Sequence, residues 1–189
     1  MSSASVLAVH PGPYTIFDLE AMPEDGQRYE LIDGGLHVTP APTPLHQIAA
    51  GRLRTLLAAV APPEWEAVEA IDVQCGRDTV LQPDVIGLRA AAAFGPDRVI
   101  NAADVAVVVE IVSPSSARMD RVLKPQVYAD AGISTYLLVE LKQPTVTWYA
   151  LSDAGGYSIL GSAIGSETLR MTEPFAVEIV PEDLVRRRD

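Results

Sequence analysis

The sequence has a single cysteine, three histidines and no long apolar run. Each shortage removes a class of explanation. Cys75 alone cannot form an intrachain disulfide, and a cytoplasmic location is the simplest expectation. His10, His37, His46 and Cys75 are too few soft ligands for a structural zinc site. The longest apolar stretch, Val105 to Val109, stops at a glutamate, far short of the ~20 residues that span a bilayer, so no membrane association is expected. Met1 to Val9 carries no Lys or Arg and no long apolar stretch, which argues against a signal peptide. Ser113, Ser115 and Ser116 lack a Gly-x-Ser-x-Gly elbow and a convincing histidine partner. There is no phosphate loop and no dinucleotide fingerprint.

Positive charge is also scarce. Fourteen Lys and Arg stand against 25 Asp and Glu, a net charge of −11. Proteins that grip nucleic acid nonspecifically usually present a basic face. Here the bulk field repels a phosphate backbone, and the only dense basic run is Arg186 to Arg188 at the C-terminal end.

What is present is apolar residue, 48% of a 189-residue chain. That suffices for one core. We expect a flexible N-terminal tail over 1–12, one domain over 13–182 and a C-terminal tail over 183–189. Thr15 and Asp18 cap a short helix through Met22. Arg28 to Asp33 reads as a strand, Asp33-Gly34 as a tight turn, and Leu36 to Thr39 as the returning strand. Thr43 caps a helix with Pro44 at its first position, and Leu45, Ile48, Ala49, Leu53, Leu56 and Val60 recur on one face. Strands are expected at Trp65 to Cys75, Val80 to Leu88 and Val105 to Val112, with a loop over 90–103. A helix over 117–131 stops at Gly132. Strands follow at Thr135 to Leu141, Thr145 to Leu151, Tyr157 to Ala163 and near Phe175 to Ile179. Continuous Val-rich runs indicate strands buried on both faces. The fold class is α/β or α+β with a mixed central sheet. The late strands, Thr145 to Leu151 among them, need covering, which suggests a homodimer.

Glu110 is the most informative residue. It sits in Val-Val-Val-Glu-Ile-Val, where a carboxylate is costly unless paired, protonated or bound to a cation. Asp84 lies in Gln-Pro-Asp-Val of a second strand, where Pro83 marks an edge or bulge that re-aims a side chain. Read singly, Glu110 is a strand-end charge and Asp84 a turn residue. Together they suggest a site for Mg²⁺ or Mn²⁺, with the Ile111 carbonyl as a neutral ligand. Such an ion polarises a phosphate and activates water. Lys124, on the following helix, can orient that water or offset phosphate charge. Pro125 disfavours helical geometry at Lys124 and would start the regular helix one residue later. Asp120 is either a further ligand or a first-turn cap. Tyr128 lines the cleft or packs in the core, and His46 approaches the site or packs on its own helix.

Tyr29 to Gly34, the Pro-rich turn followed by His46, Pro83 to Val85, Glu110 to Ser115, then Asp120, Lys124, Tyr128 and Ala131 to Ile133 occur in an ordered series. Over roughly Thr15 to Leu160 this series resembles the Uma-two family of restriction-endonuclease-like proteins. The resemblance implies the PD-(D/E)xK nuclease fold, a mixed sheet flanked by helices. It also implies Asp84 and Glu110 as metal ligands, Glu30 as an accessory acid and DNA as the partner. In the plain superfamily motif a lysine follows the second acid by two residues. That position is Val112 here, and the family resemblance has Lys124 substitute for it. The expected function is therefore Mg²⁺- or Mn²⁺-dependent hydrolysis of DNA. The alternatives are an inactive nuclease-fold module that binds or oligomerises, and a hydrolase of small phosphoesters.

Overall fold

The computed structural model describes residues 12–187, so all but Gly12 of the expected N-terminal tail lies outside the described residues. α1 (Ile16–Glu20) carries the capping box: Thr15 accepts from the Asp18 N–H, and the Asp18 carboxylate accepts from the Thr15 N–H. β1 (Arg28–Ile32) and β2 (Gly35–Thr39) form a hairpin. Asp33 at φ 50° and Gly34 at φ 75° make its two-residue turn, which needs left-handed backbone at both positions. α2 (Pro44–Val60) starts on the Thr43 cap and buries Ala49, Ala50, Leu53 and Leu57.

The next elements are β3 (Trp65–Glu69), β4 (Asp72–Gly76), β5 (Thr79–Leu81), β6 (Val85–Arg89), α3 (Ala90–Ala93), β7 (Val99–Asn101) and β8 (Val105–Val112). A π-helical turn at Met119–Leu123 runs into α4 (Lys124–Asp130), and β9 (Thr135–Glu140), β10 (Thr145–Leu151) and β11 (Tyr157–Ile164) follow. β12 (Leu169–Met171), β13 (Val177–Ile179) and α5 (Pro181–Val185) complete the order.

The strands form a six-stranded sheet, β11-β10-β9-β8-β6-β3, a five-stranded sheet, β2-β1-β5-β4-β7, and the pair β12-β13. β8 and β9 are parallel, and α4 lies in the connection between them. The mixed α+β architecture, with a mixed sheet flanked by helices, is thus as expected.

β8 is buried on both faces, as its apolar run implies. Val107, Val109 and Ile111 pack in a cluster with Leu53 and Leu57 of α2. Val105 and Val108 pack in a second cluster with Tyr128, Ile133 and Tyr136. Glu110 alternates with Val109 and Ile111, so it faces the second cluster and α4.

Several boundaries differ from the sequence expectation. The stretch 65–75 is two strands in different sheets, turned at Ala70 with φ 51°. The stretch 80–88 likewise splits at Gln82-Pro83-Asp84, so Asp84 lies in a corner between sheets rather than within a strand. Residues 90–103, expected as a loop, hold α3, β7 and the start of a 3₁₀ turn. The expected tail from residue 183 begins inside α5, where Leu184 is buried. Thr145–Leu151 is flanked by β9 and β11 and needs no cover. The sheet edge falls on β11, where Ile159, Leu160 and Ile164 are exposed.

Candidate active site

The Gln82–Asp84 corner organises one half of the site. The Asp84 N–H donates to the Val109 carbonyl at 3.1 Å, pinning the corner beside β8. The Asp84 side chain then reaches along β8 and accepts the Ile111 N–H on Oδ2 at 2.7 Å. Oδ1 accepts from Arg28 Nη1 at 2.9 Å. His46, in the first turn of α2, places Nε2 3.2 Å from Asp84 Oδ2 and 3.1 Å from the Ile111 carbonyl oxygen. Both neighbours are acceptors, so this nitrogen carries the proton. Burial pushes the Asp84 carboxyl up, but His46, Arg28 and the Ile111 N–H outweigh it and hold the group below its ordinary value.

The other half surrounds Lys124. Its Nζ lies 2.8 Å from Glu30 Oε1, 3.0 Å from Glu110 Oε1 and 3.7 Å from Asp120 Oδ1. Glu30 comes from β1, and its Oε1 also accepts the Gln82 N–H at 2.9 Å. Tyr128 donates its hydroxyl to the same Glu110 oxygen that Lys124 meets. Asp120, Lys124 and Tyr128 recur every four residues and so share one face. Lys124 is helical, at φ −59° and ψ −42°, so the regular helix does not wait for Pro125. The Lys124 N–H instead reaches back five residues to the Met119 carbonyl. A π turn of this kind accommodates a break in the four-residue ladder, here next to a proline that has no N–H.

Burial and the carboxylates of Asp84, Asp120 and Glu30 push the Glu110 carboxyl up to about 8, against the pull of the Lys124 ammonium. Burial drags Lys124 down, but Glu110, Glu30 and Asp120 outweigh it and hold the ammonium above the ordinary lysine range. Burial also raises Asp120. Both Asp120 oxygens and His46 Nδ1 are buried without a hydrogen-bond partner among the described residues.

Arg28, Glu30, His46, Asp84, Glu110, Ile111, Asp120 and Lys124 all line one cleft of about 560 Å³. Val38, Pro40, Leu45 and Pro114 give it apolar walls, and the exposed Lys142 also borders it. Tyr128 is fully buried beneath this floor and does not line the cleft. The acids expected to share one ion thus face the same cleft but hold different partners. Among the described residues no three His, Cys, Asp or Glu side chains gather closely enough to hold a metal. What does fit a hard cation is the pair formed by Asp84 Oδ2 and the Ile111 carbonyl. Both converge on a single N–H of His46, and Mg²⁺ commonly takes few protein oxygens and completes its shell with water.

Arg28 is the site residue that sequence reasoning missed. A signal for it exists: Arg28 and Glu30 are two apart on one strand and therefore share a face. Burial pushes the Cys75 thiol up to about 12, which disfavours the reactive thiolate.

Residues 17–182 match the model of the Uma2 family, described as "Putative restriction endonuclease". The chain belongs to the Uma2 family. The match takes in every site residue named above. This chain's fold is also similar to that of a crystal structure described as a putative nuclease belonging to DUF820 from Anabaena variabilis. It aligns at TM-score 0.72 and 18% identity, covering 92% of this chain and 98% of that one. At that identity the likeness speaks for the fold. No curated protein matches the sequence. The family match supports a nuclease. No helix among the described residues is long and apolar enough to cross a membrane.

Proposed function

We propose that this Uma2 protein hydrolyses DNA phosphodiester bonds with the help of Mg²⁺ or Mn²⁺. The observation that carries the reading is the convergence of Glu30, Asp84, Glu110 and Lys124, from separate segments of chain, on the floor of one cleft. Among the described residues, the carboxylates of Glu30, Asp84, Glu110 and Asp120 on this floor pair with the permanent cations Arg28 and Lys124. The floor therefore carries an excess of two negative charges when all are ionised, and a divalent ion matches that excess.

In this reading Asp84 and the Ile111 carbonyl hold the ion, with Glu110 on the same cleft wall as a further oxygen donor. A bound Mg²⁺ supplies Lewis acidity toward the phosphate and a more acidic water. Glu30 and Asp120 keep the Lys124 ammonium charged and in place, and Lys124 in turn orders the Glu110 carboxylate. The apolar walls exclude bulk water and strengthen each of these interactions. A homodimer is the proposed assembled form, supported by the exposed Ile159, Leu160 and Ile164 of the β11 edge. The cytoplasm, reducing and rich in DNA, is the proposed location.

Plasmid nicking in Mg²⁺ or Mn²⁺ tests the reading. Asp84→Asn and Glu110→Gln should each lower the rate by roughly 10²-fold or more, the usual effect of removing a group that stabilises developing charge. Equal nicking by wild type and both variants would trace the activity to a contaminant and end the proposal.

A further inference from the structure

Two permanent cations sit on the cleft floor, and their surroundings differ. Lys124 Nζ sits 2.8 Å from Glu30 and 3.0 Å from Glu110, with Asp120 at 3.7 Å, and its side chain is only 3% exposed. Enclosed in this way, it offers little surface to an approaching anion. Arg28 is 16% exposed, and Nη1 is its one nitrogen bonded to protein among the described residues. A guanidinium carries five N–H donors in a planar fork, so Arg28, which lines the cleft, keeps unmatched donors there. Its partner Asp84 is also the acid best placed to give up a cationic neighbour, since Oδ2 already has His46 and the Ile111 N–H.

We propose that Arg28, and not Lys124, is the residue that receives the phosphate of the substrate. This rests on the nuclease reading above. Were Asp84 to hold a divalent ion, its carboxylate would be shared with that ion and would tie Arg28 less firmly. The guanidinium would then be free to donate two N–H groups to the two non-bridging oxygens of a phosphodiester, as a bidentate pair. Lys124 remains enclosed and acts on the carboxylates alone. In a chain of net charge −11, such a group is what lets a phosphate reach an acidic floor.

The test is binding rather than turnover. A labelled short single-stranded oligodeoxynucleotide is titrated in Ca²⁺ over a range of salt, and the slope of log K against log salt is read. Arg28→Met should weaken binding about tenfold and reduce the slope by about 0.7, the share of one phosphate on a single strand. Arg54→Met removes the same charge from an exposed position paired with Glu69, and should leave the slope unchanged. Arg28→Lys keeps the charge but loses the fork. It should keep the slope while weakening binding several-fold, and it serves if the Met variant does not fold. A wild-type slope in Arg28→Met, an equal loss in Arg54→Met, or undiminished affinity in Arg28→Lys would each overturn the assignment while leaving the nuclease reading intact. Absence of oligonucleotide binding by the wild type would overturn both.

Discussion

Asp84 and Lys124 stand on the same cleft floor, yet one is held by an arrangement that can open and the other by one that cannot. Asp84 meets a part-exposed arginine and a histidine that also answers a backbone carbonyl. Lys124 is closed in by three acids, one of which a buried tyrosine also holds. The difference shows how a single cleft can combine a rigid electrostatic frame with an exchangeable cation position. The frame is costly to disturb because every partner is buried. The exchangeable half is cheaper because water and solute can replace Arg28.

The sharpest way to break this comparison is Lys124→Met. It leaves Glu30, Glu110 and Asp120 buried without their cation and should cost about 3–5 kcal/mol in urea unfolding at neutral pH. The double variant Lys124→Met with Glu110→Gln should recover part of that loss. An unchanged urea midpoint for Lys124→Met would show that the three acids do not depend on the ammonium. His46→Ala tests the other half. It removes a donor from the buried Ile111 carbonyl and should cost about 1–3 kcal/mol, less than Lys124→Met. A larger loss than that of Lys124→Met would reverse the ranking of the two halves.

The halves also carry opposite pH signs, an effect of at most about 1.4 kcal/mol per pH unit for each group. Glu110 titrates at about 8 in the native protein against 4.5 ordinarily. The folded state therefore holds a proton that the unfolded state has shed, and stability should fall as pH rises between those values. Asp84 is lowered from 3.8. Its contribution is complete above that value and is lost as pH falls below it. Urea midpoints across pH should show the Glu110→Gln variant with a flatter limb between pH 4.5 and 8, and Asp84→Asn with a flatter limb on the acid side. A wild-type midpoint that climbs between pH 4.5 and 8 would contradict the raised Glu110.

Much of this site was legible in order along the chain. Glu110 announced itself because a carboxyl group in an apolar strand demands a partner, and that partner is Lys124. Asp120, Lys124 and Tyr128 were each legible as candidates, but their common face was not, because Pro125 argued against helical geometry at Lys124, which the π turn allows. Arg28 was legible only in part, since period-two alternation puts it beside Glu30 but says nothing of Asp84, which is 56 positions away.

Sequence alone determined the elements whose cause is local: the Thr15 and Thr43 caps, the Asp33-Gly34 turn and the Val-rich strand Val105–Val112. Tertiary structure decided which carboxylate holds which cation. It did so because charge pairing is settled by distance in a low-dielectric interior, and the corner at Pro83 and the π turn before Lys124 set those distances from segments far apart in the chain.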